Sequence, residues 1–134
     1  AHTRGPVIAS HSNARGACFH LRNLSDEMIR QLAERGGVTG INFCPSFLRE
    51  EEPATKKAST MDMVRHMKYL RNVGGIDIIG LGTDFDGFSG ETDVPDTAHM
   101  QHLADVMSHD GFTDEEIEKV FSKNVLRVFR ECWK

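Results

Sequence analysis

Ile76-Asp77-Ile78-Ile79-Gly80-Leu81-Gly82 runs without a break into Thr83-Asp84-Phe85-Asp86-Gly87. The first half is β-branched and apolar without strict alternation, the pattern of a strand covered on both faces. The second half opens on a carboxylate and closes on an Asp-Gly pair, which favours a turn on backbone grounds. Two segments upstream repeat the arrangement. Pro6-Val7-Ile8-Ala9-Ser10 is a short apolar run ending at His11, and Val38-Thr39-Gly40-Ile41-Asn42-Phe43 is a β-branched run carrying Asn42 near its end.

Helical patterns come after each strand. Ser25 is a good N-cap with Asp26 and Glu27 in the first turn, Met28, Ile29 and Leu32 give helical spacing, and Gly36-Gly37 stops the helix after Arg35. Ser59 or Thr60 caps a second helix with Val64, Met67 and Leu70 on one side, ended by Gly74-Gly75. The charged stretch from Leu48 to Ala58, with Pro53, reads as a loop, and so does the polar stretch 88–96. A helix is expected near 98–107. A last helix starts at the capping box of Thr113 and Glu116 and continues through Ile117, Val120, Phe121, Leu126 and Phe129.

Strand and helix alternating three times, with strands buried on both faces, is an α/β pattern with a parallel sheet. Three strands are too few for an open sheet covered by helices on both sides. Gly80-Leu81-Gly82 lacks the third glycine and the helix start of a dinucleotide-binding turn. Part of a (β/α)8 barrel fits better, because polar residues collect where each strand ends and such ends converge on one mouth. The 134 residues are read as one segment, 1–134, with a net charge of -4 from 16 basic and 20 acidic side chains. That balance gives no general attraction to nucleic acid or anionic membrane. No run approaches the ~20 apolar residues of a membrane span. Cys18, Cys44 and Cys132 form no CxxC pair and read as reduced, partly buried thiols. The compartment stays open, with the cytoplasm favoured.

Function is expected at His11, Asn42 and Asp84 and in their loops. An imidazole at His11 could bind a transition metal, act as a base or cap its own loop. A carboxylate after a buried strand, as at Asp84, suits a general acid/base or an anchor for a charged substrate. Arg22, in the loop after the first strand, could take a substrate carboxylate bidentately. Asp86-Gly87 reads as a turn, Glu50-Glu51-Glu52 as solvated loop, His99 and His102 as a solvated face, and Met61, Met63 and Met67 as packing. His20, His66 and His109 have no partners that sequence reveals.

Pro6-Val7-Ile8-Ala9-Ser10-His11-Ser12-Asn13-Ala14, Arg22-Asn23-Leu24, Gly40-Ile41-Asn42-Phe43, Gly82-Thr83-Asp84-Phe85-Asp86-Gly87 and Asn124-Val125-Leu126-Arg127-Val128-Phe129 occur in the same order in the membrane (renal) dipeptidase family. The chain resembles that family over essentially its whole length. The resemblance implies the C-terminal part, about strands 6–8 with their helices, of a metal-dependent-hydrolase (β/α)8 TIM barrel. It implies a metallo-dipeptidase that holds two zinc ions and hydrolyses dipeptides by a zinc-activated hydroxide. His11 then matches a metal ligand, Arg22 the residue that holds the substrate's C-terminal carboxylate, and Asp84 a catalytic carboxylate that also lies near the substrate amine. The implied partners are a dipeptide substrate, the N-terminal part of the same barrel and, as in many relatives, a second copy in a homodimer.

The departures from the family matter as well. The family's His-x-Asp pair, bridging Glu and second ligand His precede the sixth strand and have no match here. Phe47 stands where some relatives have Tyr. The isolated chain is therefore expected to be inactive and to supply only part of the site. Two other readings stay open. One is a non-catalytic module that folds independently. The other is a calcium-binding loop using Asp84, Asp86 and Asp93.

Overall fold

The computed structural model describes residues 4–50 and 56–134. Ala1 to Thr3, and Glu51, Glu52 and Pro53 of the expected loop, lie outside the described residues. The three expected strands are present, shorter than their apolar runs: β1 (Ile8–Ala9), β2 (Val38–Ile41) and β4 (Ile79–Leu81). They form one parallel sheet in the order β1-β2-β4, with Ile8 opposite Val38 and Gly40 opposite Gly80. Every residue of the central strand β2 is buried, as its unbroken apolar run requires. The third run splits. Ile76–Ile78 winds into a 3-10 turn and only then extends. A second, two-stranded parallel sheet pairs β3 (Lys57–Ala58) with β5 (Glu91–Thr92) inside the two stretches expected to be loops.

Helix α1 (Asp26–Glu34) starts at Ser25, whose hydroxyl accepts from the Met28 N–H, and buries Ile29 and Leu32. Met28 turns outward instead. A short α2 (Pro45–Leu48), not foreseen from sequence, begins on the ring of Pro45, where the missing N–H costs nothing. Helix α3 (Thr60–Gly74) takes Ser59 as its cap in a reciprocal box with Asp62. Gly75 comes next at φ 90°, a conformation that favours glycine. Helix α3 packs between α1 and α4 (Met100–His109) and carries Met63, Val64, Met67 and Leu70 into the core with Phe43, Leu48, Leu103 and Met107. Met61, by contrast, is exposed.

The last helical stretch begins as expected, with Thr113 and Glu116 capping α5 (Asp114–Glu118). It then passes through a π turn, Lys119–Lys123, into α6 (Asn124–Cys132). The wider turn rotates α6 about its axis, so the expected apolar face does not continue. Val120, Asn124 and Val128 point inward, whereas Leu126 and Phe129 are exposed. Phe129 stacks on Trp133 with ring centroids 5.3 Å apart. The buried Asn124 amide donates to the carbonyls of Ile76 and Ile79, both at 2.8 Å. Arg127 donates to the carbonyls of Gly36 and Asp77. The Asn124 to Phe129 motif is thus a fastening between the last helix and the starts of the strands. Cys18 and Cys44 are buried free thiols and Cys132 is an exposed one.

Candidate functional site

Main-chain pairing continues beyond the strands and draws their C-terminal ends together. Ser12 N–H donates to Gly40 O, Gly82 N–H to Ile41 O and Phe43 N–H to Thr83 O. Two glycines permit this convergence. A Cβ on Gly82 would overlap the Ser10 carbonyl oxygen and meet the His11 Cα at 3.0 Å, and one on Gly40 would run into the same carbonyl and stand 2.8 Å from the Gly82 Cα. Only backbone fits between these strand ends, so the residues just past each strand share one small region.

His11, Asn42 and Asp84 occupy that region. The Ser10 hydroxyl lies 2.7 Å from His11 Nδ1, and the Arg22 guanidinium approaches His11 Nε2 at 3.4 Å. The Asn42 amide donates to Asp84 Oδ2 at 3.2 Å and reaches the His11 carbonyl at 3.5 Å. The three residues singled out from sequence therefore meet, with Arg22 beside them. Arg22 is exposed at its head but lies 5.2 Å above the Phe47 ring, a cation–π contact that limits where the guanidinium can swing. His20 packs edge-on against the same ring, and its Nδ1 accepts from the Arg22 backbone N–H.

Asp84 takes φ 60°, unusual for a residue with a side chain. The turn after it explains the Asp-Gly pair. The Gly87 N–H donates to the Asp84 carbonyl at 2.9 Å, Asp86 also adopts a positive φ of 66°, and any Cβ at position 87 would overlap Asp84 Oδ1. The carboxylate is held between Gly87 on one oxygen and Asn42 on the other.

Beneath the mouth lies a frame of buried polar side chains to which sequence reasoning assigned no role. Asn13 bonds both backbone groups of Asn42, accepting from its N–H and donating to its carbonyl, and also donates to Phe47 O. Asn23 donates to Cys18 O and Phe47 O. His66, wholly buried on α3, accepts from the Ala14 N–H on Nδ1 and faces Leu48 O at 2.7 Å through Nε2. With Nδ1 accepting, Nε2 carries the proton. Burial, helped by the Arg65 charge, lowers its pKa to about 4. Arg65 donates to the same Leu48 carbonyl. Asn13 and Asn23 stood in legible motifs, but no local signal tells a framework asparagine from a substrate contact. His66 lies on a helix far along the chain from both of its partners.

The remaining candidates disperse. His99 pairs with Asp96 and His102 with Asp93, on exposed ground. His102 also lines a groove of about 510 Å³ between α3 and α4, away from the mouth. Among the described residues, no three His, Cys, Asp or Glu side chains form a group that could hold a metal ion. The calcium-loop reading loses its basis there, since Asp84, Asp86 and Asp93 do not form one cluster. His11 by itself does fit a metal. The Arg22 guanidinium can only donate, so Nε2 carries the lone pair and Nδ1 turns its proton to Ser10, the usual arrangement for a histidine ligand. One imidazole is one ligand, however, and a centre needs others.

The family model described as Membrane dipeptidase (Peptidase family M19) matches residues 1–133. An uncharacterized protein in the pqqA 5' region of Klebsiella pneumoniae is 35% identical over 132 residues, covering 98% of this chain and 49% of that protein. An uncharacterized dipeptidase of Schizosaccharomyces pombe is 34% identical over 131 residues, covering 96% of this chain and 31% of that one. The chain thus spans half or less of the length of these curated relatives. The fold matches the crystal structure of a metallo peptidase from Rhodobacter sphaeroides, liganded with a phosphinate mimic of the dipeptide L-Ala-D-Ala, with a TM-score of 0.90 at 29% identity over 98% of this chain and 37% of that one.

Proposed function

Because the chain belongs to the membrane dipeptidase family, peptidase family M19, we propose that it forms the C-terminal part, about strands 6–8 with their helices, of a (β/α)8 barrel that hydrolyses dipeptides with zinc. The observation that carries this reading is the meeting of His11, Arg22 and Asp84 around Asn42 at the C-terminal ends of parallel strands, where barrel enzymes carry their chemistry. The share of the relatives that the chain spans supports the rest of the barrel lying outside these residues. So do the exposed Ile8 on the outer strand β1 with Val7 just before it, and Leu126 and Phe129 on α6 with Trp133 just after it, which would otherwise face water.

In this reading His11 contributes one ligand through Nε2, and the remaining ligands come from the N-terminal part of the barrel. Bound zinc supplies Lewis acidity, polarising the amide carbonyl and acidifying water near neutral pH. Arg22 takes the C-terminal carboxylate of the dipeptide. Its planar fork matches a carboxylate bidentately, and Phe47 beneath it keeps it at one height. That fixed distance leaves room for one residue beyond the scissile bond. The guanidinium lies 3.4 Å from His11 Nε2, and a turn across the Phe47 ring toward a substrate carboxylate would clear that atom for a metal. Asp84 accepts the proton of the attacking water and returns it to the leaving amine, keeping acid/base work within one carboxylate.

The test uses the complete polypeptide that contains this segment. Zinc content by mass spectrometry and hydrolysis of L-Ala-L-Ala, L-Ala-D-Ala and a tripeptide are measured for the parent and for His11→Ala, Arg22→Ala and Asp84→Asn. Metal content should fall with His11→Ala only. KM should rise with Arg22→Ala, and kcat should collapse with Asp84→Asn. Full activity in Asp84→Asn, or unchanged zinc in His11→Ala, would refute the assignments.

A further inference from the structure

We propose that Asn42 is the positioning residue that fixes the Asp84 carboxylate for its proton transfers, an inference that rests on the role assigned to Asp84 above. Asn42 is fully buried and all its polar atoms are engaged. Its backbone N–H and carbonyl are both bonded to the Asn13 side chain. Its side-chain Oδ1 accepts from the Cys44 N–H at 2.8 Å. A backbone N–H can only donate, so this last bond fixes which end of the amide is oxygen. The NH2 end must then face the mouth, where it finds Asp84 Oδ2 and the His11 carbonyl.

The consequence for Asp84 is specific. Its backbone is in the left-handed region and Gly87 closes in on Oδ1, so the carboxylate can rotate only if Oδ2 is released. A neutral donor at Oδ2 holds the plane of the group while leaving its charge in place. The alternatives at position 42 fail for separate reasons. Aspartate would set carboxylate against carboxylate. Leucine would strand the Cys44 N–H and offer no donor. Asparagine answers a donor below and an acceptor above at once, with its own backbone clamped by Asn13. Asn42 acts on the chemistry through the Asp84 carboxylate that it holds, and the same amide steadies the His11 backbone.

A double-mutant cycle in the complete enzyme tests this. Asn42→Ala removes the donor, and Asn42→Asp keeps an acceptor for the Cys44 N–H in case the alanine variant does not fold. Each is made in the parent and in an Asp84→Glu background, which carries the carboxylate one carbon further from its backbone and so changes its contact with the amide. Hydrolysis of L-Ala-D-Ala gives kcat and KM separately, and melting temperature reports folding. In the parent, kcat should drop at least tenfold with KM changed less than threefold. In Asp84→Glu the same substitution should cost less than twofold. Equal losses in both backgrounds, or a rise in KM with kcat intact, would overturn the positioning role while leaving Asp84 catalytic. Full activity in Asp84→Asn would instead remove the reading on which the inference stands.

Discussion

Acidification should weaken this protein through His66, and the size of the effect can be worked out from where that imidazole sits. Its Nδ1 accepts from the Ala14 N–H and its Nε2 faces the Leu48 carbonyl, with no water-exposed edge. Protonating Nδ1 would set a donor against a donor and bury a charge. The pKa is accordingly lowered to about 4 in the fold, chiefly by burial, against 6.5 for an unperturbed imidazole. The folded-state value is the depressed one, so the unfolded chain binds the proton first. The stabilisation is complete above 6.5, declines as pH falls toward about 4, and does not change further below that. At about 1.36 kcal/mol per pH unit the ceiling is about 3 kcal/mol, and a drop from pH 7 to pH 4.5 should remove about 2.5 kcal/mol. Carboxylates titrate in part of the same window, so the assay is a comparison. Urea midpoints are measured at both pH values for the parent and for His66→Gln, which can keep a donor and an acceptor without titrating. The parent should lose about 2.5 kcal/mol more than the variant over that step. Equal losses in the two proteins, or an NMR titration of His66 centred near 6.5, would refute the argument.

Asn124→Ala should cost about 2 kcal/mol, because it orphans the Ile76 and Ile79 carbonyls that one amide now serves; the check is a lower urea midpoint with unchanged slope. Gly82→Ala should destabilise by about 3 kcal/mol, since the new methyl meets the Ser10 backbone oxygen rather than a movable side chain; an unchanged melting temperature would contradict the close approach of the strand ends. Thr60→Val should stabilise by about 1 kcal/mol, because the Thr60 hydroxyl is buried and, among the described residues, finds no partner; thermal denaturation would show the gain.

Whereas α2, β3 and β5 are not, the three main strands, the helices that follow them, their parallel sheet and most helix ends are legible in the chain alone. These are local or periodic properties: β-branched runs between helical patterns, Ser25, Ser59 and Thr113 as caps, glycines after α1 and α3. His11, Asn42 and Asp84 are legible too, because a polar residue closing a buried strand is visible in one dimension. Long-range packing settled the features that no window of sequence contains. The π turn before α6 rotated an apolar pattern that looked continuous, sending Leu126 and Phe129 outward and Asn124 inward. Gly40 and Gly82 carry no local mark of the Ser10 carbonyl that lies against both. His66, Asn13 and Asn23 under the mouth join segments separated by up to 52 positions. Periodicity and capping are set by neighbours along the chain, whereas a buried donor's partner is chosen by whichever backbone the fold brings to it.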